Sequence, residues 1–133
     1  MSKKVLVVES IVTWCDGWKT ALKGKVELVV APSIEQAEMV LGTTIVFDAI
    51  VIDTCIRSMV TNTIPLVKKL RAKPSKDSAS TGFAFTGPMI ATSGFTPFRR
   101  ELVAAGCDHE CDKESVPRKL CEILGLPAPG GTK

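Results

Sequence analysis

Short apolar runs alternate with amphipathic stretches along most of the chain. Five runs have the length and apolar content of strands buried on both faces, and the fifth is the weakest. They occupy residues 5–8, 25–30, 47–52, 89–92 and 108–112. The stretches between and after them predict helices at residues 12–22, 33–41, 61–71, 96–105 and 115–124. A strand followed by a helix, five times over, predicts an α/β fold on a parallel sheet with right-handed crossovers.

Helix boundaries follow from capping residues and prolines. Ser33, Thr96 and Ser115 are predicted N-caps, because their side-chain oxygens can accept from free amides at a helix start. Pro97 and Pro117 fall in the first turns, where a missing N–H costs nothing. Outside these elements, the Pro- and Ser-containing residues 72–87 predict a surface loop.

Length and composition add limits to this picture. A chain of 133 residues is one domain, predicted to cover residues 1–126, with 127–133 a flexible tail or the start of a linker. A net charge of +3 and 5% aromatic residues argue against a nucleic-acid surface, so no nucleic-acid partner is expected. No membrane partner is expected either, since no apolar stretch could cross a bilayer. Five irregularly spaced cysteines without a secretion signal predict a cytoplasmic protein with reduced thiols.

The carboxyl ends of the predicted strands carry most of the candidate chemistry. Ligands of open parallel sheets bind outside this edge. The polar residues predicted there are Glu9, Ser10, Asp53, Thr92, Ser93, Asp112 and Lys113. Thr92 and Ser93 are neighbours and point to opposite faces, so only one can address the crevice, and the spacing from Pro88 favours Ser93.

Four segments in order resemble the receiver domain of two-component response regulators. They are KVLVVE at 4–9, FDAIVID at 47–53, PMIATSG at 88–94 and AGCDHECDK at 105–113. The resemblance spans about residues 3–126. It implies a flavodoxin-like, doubly wound five-stranded parallel sheet in the order 2-1-3-4-5, with helices on both faces.

The resemblance also implies a role for each site residue. Asp53 would be the phospho-acceptor, and Lys113 would pair with it and then with the phosphoryl oxygens. Ser93 would hydrogen-bond the phosphoryl group. Mg²⁺ would be held by Glu9, Asp53 and the backbone carbonyl of Cys55.

Four positions depart from the family pattern. Ser10 replaces the acidic residue that ligates the metal directly, so it is a doubtful ligand and Mg²⁺ binding is expected to be weak or lost. Glu114 replaces a proline after the lysine, which makes a cis peptide there improbable. Glu110 replaces the aromatic switch residue. Arg57 stands where a proline is common, and it is either a cation near the site or a solvated loop residue.

The expected function is that of a single-domain receiver, not an enzyme, that takes a phosphoryl group on Asp53 and signals through another protein. Its expected partners are a sensor histidine kinase or phosphotransfer protein and a downstream protein. The departures at Ser10 and Glu114 favour an alternative, a pseudo-receiver that binds proteins without Mg²⁺ or phosphorylation. A flavodoxin-like enzyme or cofactor carrier has less support, because no Gly-rich phosphate loop follows the first strand.

Two further groups have alternative interpretations. Cys107, His109 and Cys111 could ligate zinc, but their spacing favours a structural role. Trp14 and Trp18 lie one helical turn apart, and either form an exposed partner-binding edge or pack onto the sheet.

Overall fold

The computed structural model describes residues 3–72 and 84–128. Five strands alternate with five helices, as the sequence pattern predicts. The elements are β1 (Lys3–Val8), α1 (Val12–Ala21), β2 (Val26–Ala31), α2 (Ile34–Leu41), β3 (Ala49–Asp53), α3 (Ile64–Arg71), β4 (Met89–Thr92), α4 (Thr96–Ala105), β5 (His109–Cys111) and α5 (Val116–Leu124). A short 3₁₀ helix, Lys113–Ser115, joins β5 to α5. Most of the predicted loop at 72–87, and most of the predicted tail at 127–133, lie outside the described residues.

The five strands form one parallel sheet in the order β2-β1-β3-β4-β5, which confirms the predicted fold class. Alternate residues of each strand face two separate hydrophobic cores. Leu6 and Val8 of β1 belong to the core covered by α2, α3 and α4, whereas Val5 and Val7 belong to the core covered by α1 and α5. Since both faces are covered, β1 and β3 are apolar along nearly their whole length.

Of the three predicted helix caps, one is confirmed, one is confirmed in position only and one is wrong. Ser33 caps α2, and its hydroxyl accepts from the amide of Gln36 at 3.1 Å. Thr96 is already helical, so the cap position of α4 falls on Phe95. Ser115 ends the 3₁₀ helix, and the side chain that caps that helix is Asp112, which accepts from the Ser115 amide at 3.0 Å. Ser115 occupies the N-cap position of α5, as predicted, but its side chain makes no capping hydrogen bond.

No described helix is both long enough and apolar enough to span a bilayer. The structure also decides the interpretation of the two tryptophans. Trp18 is 2% exposed and packs between α1 and the sheet, while Trp14 is half-buried beside it.

Candidate functional site

Two buried carboxylates and one ammonium meet at the carboxyl edge of the sheet. Glu9 follows β1, Asp53 ends β3, and Lys113 opens the 3₁₀ helix after β5. The Nζ atom of Lys113 lies 2.9 Å from Oε1 of Glu9 and 3.2 Å from Oδ2 of Asp53. Three residues far apart in the sequence therefore form one charged cluster, placed where the sequence predicts it.

Burial governs the electrostatics of this cluster. The pKa of Asp53 is raised from 3.8 to about 6, chiefly by loss of hydration and then by the nearby charge of Glu9, which together outweigh the lowering effect of Lys113. Burial alone would lower the pKa of Lys113, but its hydrogen bonds and ion pairs with Glu9 and Asp53 outweigh burial and leave that pKa raised. Lys113 therefore holds its proton more firmly than an exposed lysine does.

Glu9 is held on both of its carboxylate oxygens. Oε1 faces the ammonium of Lys113, and Oε2 accepts from the amide of Ile11 at 3.1 Å. Asp53 is less engaged: Oδ2 faces Lys113, while Oδ1 has only a long hydrogen bond, 3.4 Å, from the amide of Cys55. Oδ1 of Asp53 is therefore the carboxylate oxygen with most capacity for a further bond.

The loop after β3 is fixed by side chains that the sequence pattern does not reveal. The hydroxyl of Thr63 lies 2.9 Å from the carbonyl of Asp53 and 3.1 Å from that of Thr54. The side-chain amide of Asn62 accepts from the Ile56 amide and donates to the Ile56 carbonyl. These contacts hold the backbone from Asp53 to Ile56, so the carboxylate of Asp53 starts from a defined position.

Arg57, in the same loop, is exposed and has a φ of +55°, a conformation uncommon for residues other than glycine. Among the described residues it shows no contact with Asp53, so the structure gives no support to its role as a cation at the site.

Ser93 lies at the end of β4, next to the cluster but not bonded to it. Its hydroxyl accepts from the amide of Phe95 at 3.0 Å, and its carbonyl accepts from Nη1 of Arg99 at 2.8 Å. Arg99 also pairs with Glu110 on β5, with Nε 3.1 Å from Oε1. Glu110, which replaces the aromatic switch residue of the family pattern, is thus held in an ion pair with Arg99. This pair joins the loop after β4 to β5.

The donors available to a divalent cation are oxygens, the type that Mg²⁺ prefers. They are the carboxylates of Glu9 and Asp53, the backbone carbonyl of Cys55 and the hydroxyl of Ser10. They fit Mg²⁺ in kind, while Lys113 already offsets one of the two negative charges and Ser10 contributes none.

In residues 3–72 and 84–128, no group of three or more His, Cys, Asp and Glu side chains is arranged to hold a metal ion. Cys107 is buried and Cys111 half-buried, which agrees with the structural interpretation of that segment.

Comparison with solved structures shows what the fold is similar to. A two-component response regulator from Clostridium difficile superposes with a TM-score of 0.71 at 19% identity, covering 93% of this chain and 97% of that one. A CheY-like response regulator receiver domain from Methylobacillus flagellatus gives 0.67 at 23% identity, covering 92% and 99%. The receiver domain of a sensor histidine kinase from Pseudomonas aeruginosa, with a magnesium ion coordinated in its active-site cleft, gives 0.66 at 19% identity, covering 94% and 99%. The chain therefore has the fold of response regulator receiver domains.

No family model matches the sequence, and no curated protein is detectably similar to it. At these levels of identity the likeness lies in the fold, and the chemistry of the site has to be argued from its own residues.

The raised pKa of Asp53 predicts a pH-dependent gain in stability on its replacement. The folded state binds a proton at Asp53 more tightly than the unfolded chain does, so it loses stability as the pH rises from about 4 through about 6. At pH 8 we expect Asp53→Asn to raise the free energy of unfolding by about 1–3 kcal/mol, and near pH 4 the gain shrinks toward zero. Urea unfolding at both pH values measures this, with Asp16→Asn, an exposed position on α1, as control. A gain that is the same at both pH values would contradict the electrostatic cause.

Proposed function

We propose that this chain is a response regulator receiver that accepts a phosphoryl group on Asp53. The observation that carries the proposal is the buried cluster of Asp53, Lys113 and Glu9 at the carboxyl edge of a receiver-type sheet. A structural ion pair would need one carboxylate, whereas two carboxylates around one ammonium leave an acidic crevice suited to reaction or cation binding.

The chemistry proceeds on Asp53. With a pKa of about 6, its carboxylate is mostly ionised at neutral pH and can act as a nucleophile. Oδ1, the less engaged oxygen, forms a bond to phosphorus as the bond between phosphorus and the donor's nitrogen or oxygen breaks. The electron pair of that bond leaves with the donor group, which takes a proton from solvent, and the product is an aspartyl phosphate.

Lys113 changes partner during this reaction. Before transfer its ammonium offsets the charges of Asp53 and Glu9. After transfer the phosphoryl group adds negative charge to Asp53, and the ammonium pairs with the new oxygens while remaining beside Glu9. Lys113 thus stabilises the charge that arrives, and Glu9 keeps the ammonium in the crevice.

Mg²⁺, when bound, would neutralise the phosphoryl oxygens during transfer. Glu9, Asp53 and the carbonyl of Cys55 are the groups that would hold it, with the Ser10 hydroxyl as a poor fourth donor. We propose that its affinity is low because the donor set has only two carboxylates and faces an ammonium.

Ser93 is proposed to report the phosphorylated state. Its hydroxyl is bound to the Phe95 amide, and turning it toward a phosphoryl oxygen would break that bond and release the loop 94–97. The same loop is tied through Arg99 to Glu110, so the movement reaches β5. The proposed partners are a sensor histidine kinase or phosphotransfer protein as donor and a downstream protein as receiver of the signal, in the cytoplasm.

A pseudo-receiver is the second candidate. The observation in its favour is that both oxygens of Glu9 are already engaged, by Lys113 and by the Ile11 amide, beside a neutral Ser10. In that case the same fold would bind a partner protein without phosphorylation.

The first test is incubation with a small phosphodonor, such as acetyl phosphate, and Mg²⁺. We expect intact mass to rise by the mass of one phosphoryl group, and the modification to be lost in Asp53→Asn. Asp48→Asn is the matched control, because Asp48 is bonded to the Lys4 amide, not to Lys113, and it should still be modified. An unmodified natural protein would leave the pseudo-receiver as the better account.

The second test concerns the metal. We expect Ser10→Asp to strengthen Mg²⁺ binding by roughly tenfold or more, because a third carboxylate in a partly desolvated cleft adds Coulomb attraction. Isothermal titration calorimetry measures the affinity. Ser33→Asp is the control, since aspartate keeps the α2 cap while standing away from the site. Tight Mg²⁺ binding by the natural sequence would contradict the weak donor set.

The third test concerns the signal. We expect Ser93→Ala to be phosphorylated still, but with smaller changes in the amide NMR shifts of Gly94 and Phe95 than in the natural protein. Thr92→Val is the control, because the Thr92 hydroxyl is buried without a hydrogen-bond partner among the described residues. Equal shift changes in Ser93→Ala and the natural protein would remove Ser93 from the proposed path.

A further inference from the structure

Trp18 on α1 contacts the backbone of the residue that completes the charged cluster. Its indole Nε1–H donates to the carbonyl oxygen of Lys113 at 2.9 Å, between residues 95 positions apart in the sequence. We infer that Trp18 is a positioning residue for Lys113: it fixes the lysine backbone so that the ammonium reaches both Glu9 and Asp53. The inference rests on the proposed function, because it concerns the same phosphoryl-accepting site.

The indole itself is fixed by packing. Trp18 is 2% exposed and lies in the core formed by α1, α5 and the sheet. A buried indole N–H needs an acceptor, since an unbonded one would cost roughly 1–3 kcal/mol. The Lys113 carbonyl supplies that acceptor. The packing of α1 therefore determines where the backbone of Lys113 lies at the carboxyl edge of the sheet.

The turn that carries Lys113 is the short 3₁₀ helix Lys113–Ser115. Among the described residues no peptide bond is cis, and the residue after Lys113 is Glu114, which leaves φ free where a proline would restrict it. The turn is instead held by hydrogen bonds. Asp112 caps it through the Ser115 amide, and the Lys113 carbonyl accepts from the Val116 amide as well as from the indole. A carbonyl oxygen has two lone pairs, so both bonds can form together.

The position of this backbone matters because lysine has a flexible stem. Its ammonium must meet Oε1 of Glu9 and Oδ2 of Asp53 at 2.9 and 3.2 Å at the same time. Freeing the Lys113 carbonyl would let the Cα move and would loosen one of these two contacts. A misplacement of about 1 Å at a reacting group can cost up to about a hundredfold in rate.

Trp14 provides a matched comparison within the same helix. Its ring centroid lies 6.1 Å from that of Trp18, and it is half-buried. In the described part of the chain its indole N–H has no recorded acceptor, so a change to phenylalanine there removes ring area without removing a bond to the site.

The test compares Trp18→Phe with Trp14→Phe, each in the natural chain and in the Lys113→Met background. The readouts are the rate of Asp53 phosphorylation by acetyl phosphate, followed by intact mass, and the ¹⁵N-ammonium NMR signal of Lys113. We expect Trp18→Phe to slow phosphorylation by roughly tenfold or more, and to broaden or remove the ammonium signal. In the Lys113→Met background it should cause no further slowing, and Trp14→Phe should have no comparable effect in either background.

An equal slowing by Trp18→Phe in both backgrounds would assign the effect to general packing and would overturn the inference. If the natural protein is not phosphorylated at all, the proposed function fails. The ammonium signal of Lys113 then tests the positioning role by itself, and an unchanged signal in Trp18→Phe overturns that role. Should Trp18→Phe not fold, hydrogen exchange of the natural protein decides. The Trp18 indole proton should exchange at least roughly ten times more slowly than that of Trp14, and comparable rates would refute the bond.

Discussion

The burial of two carboxylates side by side is the constraint on which this structure depends. Glu9 is 1% exposed and Asp53 4%, and the charge of Glu9 raises the cost of ionising Asp53. A single cation, Lys113, makes the pair tolerable by contacting both. Removing Lys113 would leave two buried carboxylates without a cation, whereas removing Asp53 leaves Lys113 still paired with Glu9. The site is therefore a source of instability that the remaining fold has to offset.

The apolar strands of the sheet offset the instability of this charged cluster. β1 and β3 are neighbours, so their carboxyl ends place Glu9 and Asp53 together. Lys113 follows β5, so β4 and β5 must join the sheet before its side chain lies beside these two carboxylates. The Thr63 and Asn62 side chains hold the backbone after Asp53, and the Trp18 indole holds that of Lys113. Each of these side chains comes from outside the strands. The cluster is therefore supported by hydrogen bonds from loops and helices and by the apolar packing of the sheet.

The sequence predicts the architecture and the cluster, because both follow from local patterns. Apolar runs define the strands, and the position of polar residues at their ends brings Glu9, Asp53 and Lys113 to one edge. The supports were not predictable in the same way. The bond from Trp18 to Lys113 spans most of the chain, and Asn62 falls in the helix predicted at 61–71, whereas α3 begins at Ile64 and leaves Asn62 in the loop. Ser115 holds the predicted N-cap position of α5 without a capping bond, and the sequence pattern does not reveal the 3₁₀ turn, capped by Asp112, that precedes it. The assigned roles of the site residues stay predictions.

The pair formed by Arg99 and Glu110 has a consequence for how conditions act on this protein. It joins the loop after β4 to β5, and its two side chains keep 16% and 31% of their surface in contact with solvent. Attraction between partly exposed charges weakens as dissolved ions screen them, with a screening length near ~8 Å at physiological ionic strength. A buried aromatic ring at the same place would be indifferent to salt. Mechanical coupling between these two strand ends is therefore tightest in dilute electrolyte and loosens as ionic strength rises, which makes the salt concentration a variable of that coupling.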